Sequence, residues 1–341
     1  MDDERPRGTE RVSDPQAEGG DASALAAFHD FEPDIDDFES AVIAGLSLSR
    51  KELPCKFLYD ERGSRLFDDI CALDEYYPTR TEIAVLRANR RRIAELIGGA
   101  CQLVEFGSGS SVKVRILLEA LDGLAAYTPV DISREHLIRS AAALAADFPR
   151  LEVIAVCADY TRPFEIPRPA RDPDARRVVF FPGSTVGNFT PDVARRFLAD
   201  TAELTGPGGA ILLGVDLKKD PRILQRAYDD GRGVTAAFNL NLLARINREL
   251  RADFDLSAFR HVARYNEREG RIEMHLVSLR PQTVHVNGCT FDFVADETIH
   301  TECSYKYSVA EFQALAREAG LTPIEAWTDD KRLFSVHFFA T

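Results

Sequence analysis

The amino-acid sequence predicts an α/β fold in which helices cover both faces of a doubly wound, mostly parallel sheet. Between Cys101 and Asp216, short runs rich in β-branched and aromatic residues alternate with segments whose apolar residues recur at helical spacing. A glycine-containing turn follows the first run, and two strand-like runs close the chain after a further helical segment. Strands that alternate with helices favour right-handed crossovers and therefore parallel pairing. We expect the closing pair of strands to form a C-terminal antiparallel hairpin.

The charge balance limits the kinds of partner that the chain can bind. Its 341 residues include 55 acidic and 42 basic ones, for a formal net charge of −13. Such a field disfavours phosphate backbones and anionic membranes. The basic run Arg87 to Arg92 is a local exception, and its helical context favours a solvated helix face over a nucleic-acid contact. We therefore expect no nucleic acid and no membrane as a partner.

The cysteines and the N-terminal sequence indicate the cellular compartment in which the protein is expected. Six cysteines are scattered without a C-x-x-C pair or a spacing suited to a metal, which favours reduced structural thiols. The acidic N-terminus lacks the apolar stretch of a secretory signal, and no apolar run is long enough to span a bilayer. These features predict a cytoplasmic protein with no bound metal.

The N-terminal residues 1–28 differ in composition from the rest of the chain. They combine charge, proline and glycine with almost no large apolar side chains. Such a segment cannot offset the entropy lost on ordering. We expect a disordered tail, with the fold beginning near Phe31.

Five runs are predicted to be the strands of the parallel sheet. They are CQLVEF, AAYTPVD, LEVIAVCAD, ARRVVFFPG and GAILLGVD, separated by the helical segments VKVRILLEAL, REHLIRSAAALAADF and PDVARRFLADTAEL. Thr190 before Pro191 provides a cap and a preset first turn for the last of these helices. Near the C-terminus, Ser308 and Glu311 form a capping box that begins one more helix.

The pattern changes after Asp216 and predicts a second lobe. A long helical stretch precedes pairs of strands, including one pair joined by Asn287-Gly288, a strong hairpin signal. We assign residues 29–80 and 217–306 to a smaller, inserted α+β substrate-binding lobe. Residues 81–216 and 307–341 form the cofactor domain. A chain that leaves a sheet and returns to it would form a cleft between the two parts.

The turn EFGSGSSVK predicts a nucleoside cofactor. Gly107 and Gly109 stand between a strand and a helix, where small residues let the backbone approach a ligand, although a tight turn without a ligand is the alternative. Asp131 ends the next strand, where a carboxylate can accept from ribose hydroxyls, and Asp159 ends the third, near an adenine amino group. Val112 replaces the third glycine of the dinucleotide fingerprint. S-adenosylmethionine (SAM) therefore suits the loop better than a dinucleotide.

A second group of residues is predicted at the carboxyl edge of the sheet, where open α/β sheets bind ligands. The fourth strand runs into FPGSTVGNF, which places Gly183 and Asn188 there, although Asn188 could be a simple turn residue. Methyl transfer from a sulfonium is an in-line displacement, so the protein must chiefly hold the acceptor and exclude water.

Aromatic rings would suit an amine that becomes methylated, because they accommodate an ammonium without hydrogen-bonding it. Tyr59, Phe67, Tyr76 and Tyr77 are candidates, with ordinary core packing as the alternative for Phe67 and one tyrosine. The stretch HTECSYKY adds Glu302 and Ser304, two polar groups among aromatic residues.

Six separated motifs resemble the histidine N-alpha-methyltransferase family of ergothioneine biosynthesis, from about Phe31 to the C-terminus. They are YDERGSRLFDDI...EYYPTRTE, VEFGSGSSVK, PGSTVGNF, GVDLKKDP, AYDD...GVTAAFNLNLL and HTECSYKY. The resemblance implies a class I SAM methyltransferase fold. It also implies three successive methylations of the α-amino group of L-histidine, which give hercynine with SAM as the donor.

The resemblance also implies roles for individual residues. Tyr59 and Phe67 lie beside the amine as catalytic residues, Asn188 and Tyr228 hold the substrate carboxylate, and Tyr76, Glu302 and Ser304 read the imidazole. Met274 matches the histidine-specific pattern, whereas relatives that use an indole substrate are expected to differ. On the cofactor side, the matching positions are Gly107, Gly109, Lys113, Asp131, Asp159 and Tyr160.

Three positions depart from the family pattern, and several other functions stay open. Tyr160 replaces a phenylalanine, and Cys303 and Tyr305 replace commoner residues around Ser304, which affects the expected shape of the pocket.

The alternative functions are an N-methyltransferase for another aromatic amino acid or amine, a non-catalytic SAM-binding subunit, and a NAD-dependent oxidoreductase, which Val112 disfavours. We expect a monomeric enzyme whose partner is a small amino acid, L-histidine.

Overall fold

A nine-stranded sheet forms the centre of the protein in the computed structural model, which describes residues 11–13, 25–31, 35–109 and 111–341. The strands of the described residues are β1 (Arg11–Ser13), β2 (Ala27–Asp30), β3 (Cys101–Phe106), β4 (Ala126–Asp131), β5 (Ile154–Cys157), β6 (Arg176–Phe181), β7 (Ala210–Asp216), β8 (Phe259–Asn266), β9 (Arg271–Ser278), β10 (Gln282–Val286), β11 (Cys289–Phe293), β12 (Thr298–Tyr305), β13 (Thr322–Thr328) and β14 (Phe334–Ala340). The helices in the same ranges are α1 (Ile35–Ser47), α2 (Glu61–Cys71), α3 (Tyr77–Ile97), α4 (Val112–Leu118), α5 (Arg134–Asp147), α6 (Pro191–Thr205), α7 (Pro221–Tyr228), α8 (Val234–Leu250) and α9 (Val309–Glu318).

The strand order of this sheet is β1-β2-β5-β4-β3-β6-β7-β14-β13. All pairs from β2 to β7 are parallel, whereas β14 is antiparallel to β7 and to β13. The doubly wound fold with a C-terminal antiparallel hairpin is thereby confirmed. The chain order reverses at β3, and a crevice at the carboxyl ends of the strands is the usual ligand site at such a point.

The N-terminal edge of the sheet differs from the prediction for residues 1–28. Strand β2 pairs in parallel with β5, and β1 pairs with β2. Leu25 and Phe28 are buried against the sheet, so these two apolar side chains supply the burial that the composition of the segment as a whole lacks. The other residues of the predicted tail lie outside the described ranges.

Two apolar layers sandwich the main sheet. One contains side chains from α3, α4 and α5, and the other contains side chains from α6 and α9. Helix α9 begins with the predicted capping box between Ser308 and Glu311. Thr190 is the N-cap of α6 as predicted, but its side chain makes no capping hydrogen bond.

A third apolar cluster forms the core of the second lobe. Its buried members come from residues 38–77 and 224–299. The lobe contains a three-stranded antiparallel sheet, β12-β9-β8, and the β10–β11 hairpin, whose turn has positive φ at Asn287 and Gly288 as the predicted turn requires. At the edges of the predicted lobe, residues 29 and 30 belong to β2 of the main sheet, and Tyr305 packs in the core of that sheet. No helix in the described ranges combines the length and the apolar character that a membrane span requires.

Candidate functional site

The turn after β3 contains two glycines with left-handed backbone conformations. Gly107 and Gly109 have φ values of +68° and +42°, a region that glycine adopts without strain. Between them, the Ser108 hydroxyl is buried and has no hydrogen-bond partner among the described residues. A buried polar group usually has a partner, so this loop fits a ligand that supplies one.

Asp131 at the end of β4 lies against the same loop. One carboxylate oxygen accepts from the backbone N–H of Ser133 at 2.9 Å, and the other lies 3.5 Å from the backbone nitrogen of Gly109. Burial raises the pKa of Asp131. The structure thus brings Asp131 and the glycine loop together as the sequence predicted.

Asp159 and Tyr160 follow β5 on the next turn along this edge. Asp159 accepts from the Lys56 ammonium at 3.0 Å, which links the second lobe to the main domain. Burial by itself would raise the pKa of Asp159, but hydrogen bonds from Thr161 and Lys56 hold this pKa below its usual value. The Tyr160 ring stacks parallel to Phe106, with centroids 5.4 Å apart. A Cβ added to Gly107 would lie only 3.9 Å from the Tyr160 hydroxyl oxygen, so loop and ring are neighbours.

Glu82 on α3 is a residue of this region that the sequence reasoning missed. Its fully buried carboxylate accepts from the backbone N–H of Gly183 at 2.9 and 3.1 Å. It also forms a 2.6 Å ion pair with Lys113 on α4. Burial alone would lower the pKa of Lys113, but the Glu82 charge outweighs that effect and raises it. Lys113 is thus held by Glu82, and its predicted contact with the cofactor stays a prediction.

An aromatic cluster in the second lobe contains three of the residues that were predicted to surround the amine, Tyr59, Phe67 and Tyr76. Tyr59 and Phe67 meet edge to face with centroids 5.5 Å apart, and Phe238 on α8 lies 5.5 Å from Tyr59 and 6.0 Å from Phe67. Tyr76 continues the cluster, 6.2 Å from Phe67 and 6.0 Å from Tyr228. The sequence reasoning missed Phe238, because one phenylalanine in an apolar helical stretch carries no separate signal.

Tyr77 does not join these rings. Its hydroxyl lies 2.8 Å from both carboxylate oxygens of Asp216. Its ring also packs under the Lys219 ammonium. Of the four aromatic candidates for the amine, Tyr59, Phe67 and Tyr76 cluster, whereas the Tyr77 hydroxyl belongs to the polar network around Asp216.

Glu302 is a buried carboxylate without a hydrogen-bond partner for its Oε2 atom among the described residues. It lies on β12 directly opposite Met274 of β9, which is 1% exposed. Burial raises the pKa of Glu302 to about 7, against the opposing effect of Lys306. Burial also raises the pKa values of Tyr59, Tyr76 and Tyr228, and the Glu302 charge raises each of them further. Glu302 therefore lies within electrostatic reach of the aromatic cluster.

Ser304, two residues further along β12, belongs to a buried polar network. Its hydroxyl lies 2.8 Å from the Tyr228 hydroxyl and 2.7 Å from the Lys306 ammonium. Lys306 also forms a 2.7 Å ion pair with Asp216. Burial opposes ionisation of Asp216, but the ammonium groups of Lys306 and Lys219 hold its pKa below the usual value. The motifs GVDLKKDP and HTECSYKY contain Asp216 and Lys306, but nothing local in the sequence pairs them.

Asn188 reaches this region through a short 3-10 turn, Thr185–Asn188. The turn packs closely on the residues that end β12, because a Cβ on Gly187 would lie 2.7 Å from the carbonyl oxygen of Tyr305. The backbone carbonyl of Asn188 accepts from the thiol of Cys303 at 3.3 Å. Asn188 is thus placed beside the strand that carries Glu302 and Ser304. Groups of His, Cys, Asp or Glu able to hold a metal do not occur in the described ranges.

Comparisons with known proteins show what this chain is similar to. Residues 38–341 match a family model described as histidine-specific, SAM-dependent methyltransferase. The histidine N-alpha-methyltransferase of Mycolicibacterium smegmatis is 47% identical over 296 residues, covering 84% of this chain and 90% of that protein. The enzyme of the same name from Mycobacterium tuberculosis is 43% identical over 339 residues, covering 97% and 99%. Ergothioneine biosynthesis protein 1 of Neurospora crassa is 31% identical over 284 residues, which are 82% of this chain and 32% of that protein.

Proposed function

We propose that this chain, which belongs to the family of histidine-specific, SAM-dependent methyltransferases, trimethylates the α-amino group of L-histidine to give hercynine. This is a step of ergothioneine biosynthesis, the process named by the relative from N. crassa. SAM supplies an electrophilic methyl group. The residues of the chain bind the two substrates, orient them and exclude water.

The observation that carries the proposal is the buried Oε2 atom of Glu302, which has no hydrogen-bond partner among the described residues. A buried carboxylate oxygen without a hydrogen-bond donor is costly, and a ligand N–H would remove that cost. An imidazole ring that donates to Glu302 and accepts from Ser304 would satisfy both groups, and Tyr76 would lie beside it. Met274, opposite Glu302, would pack against the ring. A site built on such hydrogen bonds rejects analogues that leave a polar group unpaired.

The other end of the substrate would be held by Asn188 and Tyr228, with the amine beside Tyr59 and Phe67. A methylated amine that carries a positive charge would be attracted to the faces of these aromatic rings. SAM would lie along the carboxyl edge of the main sheet. We assign its contacts to the residues that this edge brings together, which are Gly107, Gly109, Lys113, Asp131, Asp159 and Tyr160, with Ser108 as an addition.

We further propose that the enzyme works in the cytoplasm as a monomer, without a nucleic-acid or membrane partner. The net charge of −13 and the six free cysteines support this setting.

The test is a product analysis by mass spectrometry. Purified protein with SAM and L-histidine should give a product heavier than histidine by three methyl groups, with transient products carrying one and two. L-Tryptophan, offered alone and in competition, should give little product. If the protein consumes SAM only with another amino acid and gives no methylated histidine, the proposal is refuted. That result would favour an N-methyltransferase that acts on a different substrate.

A further inference from the structure

A histidine side chain holds the backbone carbonyl at the end of α7. Tyr228 is the last residue of this helix, and its carbonyl oxygen lies 2.8 Å from Nε2 of His261 on β8. The last carbonyls of a helix have no partner within the helix, so another group must satisfy them where they are buried. Both residues are buried. His261 therefore supplies the donor that the end of α7 requires.

A fully buried asparagine sets the tautomer of His261. The side-chain nitrogen of Asn239 on α8 lies 2.9 Å from Nδ1 of His261 and 3.3 Å from the backbone oxygen of His275. Its two protons serve these two acceptors, whereas the amide oxygen in the same place would face a carbonyl. Burial lowers the pKa of His261, which favours the neutral ring. A neutral ring that accepts at Nδ1 carries its proton at Nε2 and donates it to Tyr228.

The Tyr228 residue is thus anchored at both of its ends. The hydroxyl lies 2.9 Å from the Lys306 ammonium, and the backbone carbonyl accepts from His261. The first contact holds the tip of the side chain, and the second holds the helix end from which the side chain starts. A ring is placed reproducibly only when both its tip and its backbone are held, because either end can otherwise move about the other.

We infer that His261 is a positioning residue for the substrate carboxylate and acts through the backbone of Tyr228. This inference rests on the proposed function, in which Tyr228 holds that carboxylate. Without the Nε2 proton, the Tyr228 carbonyl has no other donor among the described residues. A buried acceptor without a donor is costly, so the last turn of α7 shifts and takes the Tyr228 side chain with it. The residues assigned to SAM lie on the main sheet, outside α7, β8 and α8, and keep their places.

The test compares His261→Leu with His261→Gln. Leucine removes the donor, whereas the glutamine amide can place an N–H near the position of Nε2. In His261→Leu, steady-state kinetics at saturating SAM should give a KM for L-histidine about tenfold above the wild-type value, which corresponds to about 1.4 kcal/mol, with kcat nearly unchanged. In His261→Gln the KM should lie within about threefold of the wild-type value. Calorimetry should give the wild-type affinity for S-adenosylhomocysteine in both variants.

Asn247→Leu is the matched control. The Asn247 side chain also donates to a backbone carbonyl of the second lobe, that of Phe254, at 2.8 Å. Its loss should lower the stability of the lobe but leave the KM for histidine unchanged. Asn239→Ala covers the case in which His261→Leu fails to fold. It leaves Nδ1 of His261 free to hold the proton, so Nε2 donates to Tyr228 only part of the time and the KM should rise about threefold.

A wild-type KM in His261→Leu, or in Asn239→Ala where only that variant folds, overturns the inference. A KM in His261→Gln as high as in His261→Leu also overturns it, because the ring would then act only through packing. So does a loss of cofactor affinity in step with the rise in KM. A wild-type enzyme that does not methylate histidine overturns the proposed function instead. The same variants are then compared on the amino acid that the enzyme does methylate, so the two failures are distinguishable.

Discussion

The carboxylate of Glu82 lies 2.6 Å from the ammonium of Lys113 and, at the same time, accepts the backbone N–H of Gly183. Three elements meet at this carboxylate: α3, the helix α4 that follows the cofactor loop, and the loop after β6 that leads to Asn188. A helix outside the sheet thus connects a residue that we assign to SAM, Lys113, with the loop that leads to Asn188.

Glu82→Gln should destabilise the fold. The amide can still accept from Gly183, but Lys113 is left as an uncompensated, largely buried charge, which costs about 3 kcal/mol. Urea denaturation measures the loss. Glu95→Gln is the control on the same helix, because its exposed pair with Arg92 contributes little. Equal stability of the two variants would contradict this role for Glu82.

Glu302→Ala should impair histidine use and spare the cofactor. The variant loses a hydrogen bond to a charged group, worth about 1.5–3 kcal/mol, so kcat/KM for histidine should fall about 10- to 100-fold. The affinity for S-adenosylhomocysteine, measured by calorimetry, should not change. Glu273→Gln is the control, because Glu273 lies opposite Cys303, on the other face of the same strand pair. A parallel loss of cofactor affinity would argue against an imidazole-reading role.

Glu302→Gln should stabilise the protein above neutral pH. Burial raises the pKa of Glu302 from 4.5 to about 7, so the folded state holds a proton that the unfolded state releases. This contribution to stability is present below pH 4.5 and is lost as the pH rises through 7, a change of about 3 kcal/mol. The glutamine variant avoids that loss. Its free energy of unfolding should exceed the wild-type value at pH 8 and match it near pH 4.5, and a constant difference across this range would refute the explanation.

Phe67→Leu should slow methylation through the loss of an aromatic face. A cation–π attraction of about 1–2 kcal/mol corresponds to a decrease in kcat/KM of about tenfold. Phe254→Leu is the control for core packing, because Phe254 is buried in the same lobe, where its ring contacts Phe259 and Phe293. Steady-state kinetics distinguish the two. A similar loss in both variants would mean that Phe67 acts only as a core residue.

The sequence was sufficient for most of the fold but missed one edge of the sheet. The alternation of strands and helices between Cys101 and Asp216 predicted the parallel sheet because each element carries its own periodicity. Strand β2 carries only Phe28 as a large apolar residue within a polar segment. Its ordering depends on backbone pairing with β5, which no local pattern reports.

The residues of the candidate site likewise fall into those that the sequence predicted and those that it missed. The motifs pointed to Tyr59, Phe67, Glu302 and Ser304, and the structure places these residues in one region. Ser108, Glu82 and Phe238 gave no separate signal, because a serine in a polar loop, a glutamate on a helix and a phenylalanine in an apolar stretch are common. Their significance comes from burial and from neighbours that are distant in the chain.

The sequence by itself determined the element pattern, the glycine loop after β3 and the resemblance that identified the reaction, since these depend on residue types at short and fixed spacing. Only the tertiary structure decided that Asp216 pairs with Lys306 and that Lys306 donates to Ser304. The energy of a buried charge or hydroxyl depends on which distant groups surround it in a medium of low dielectric. That environment exists only once β7, α7 and β12 have come together.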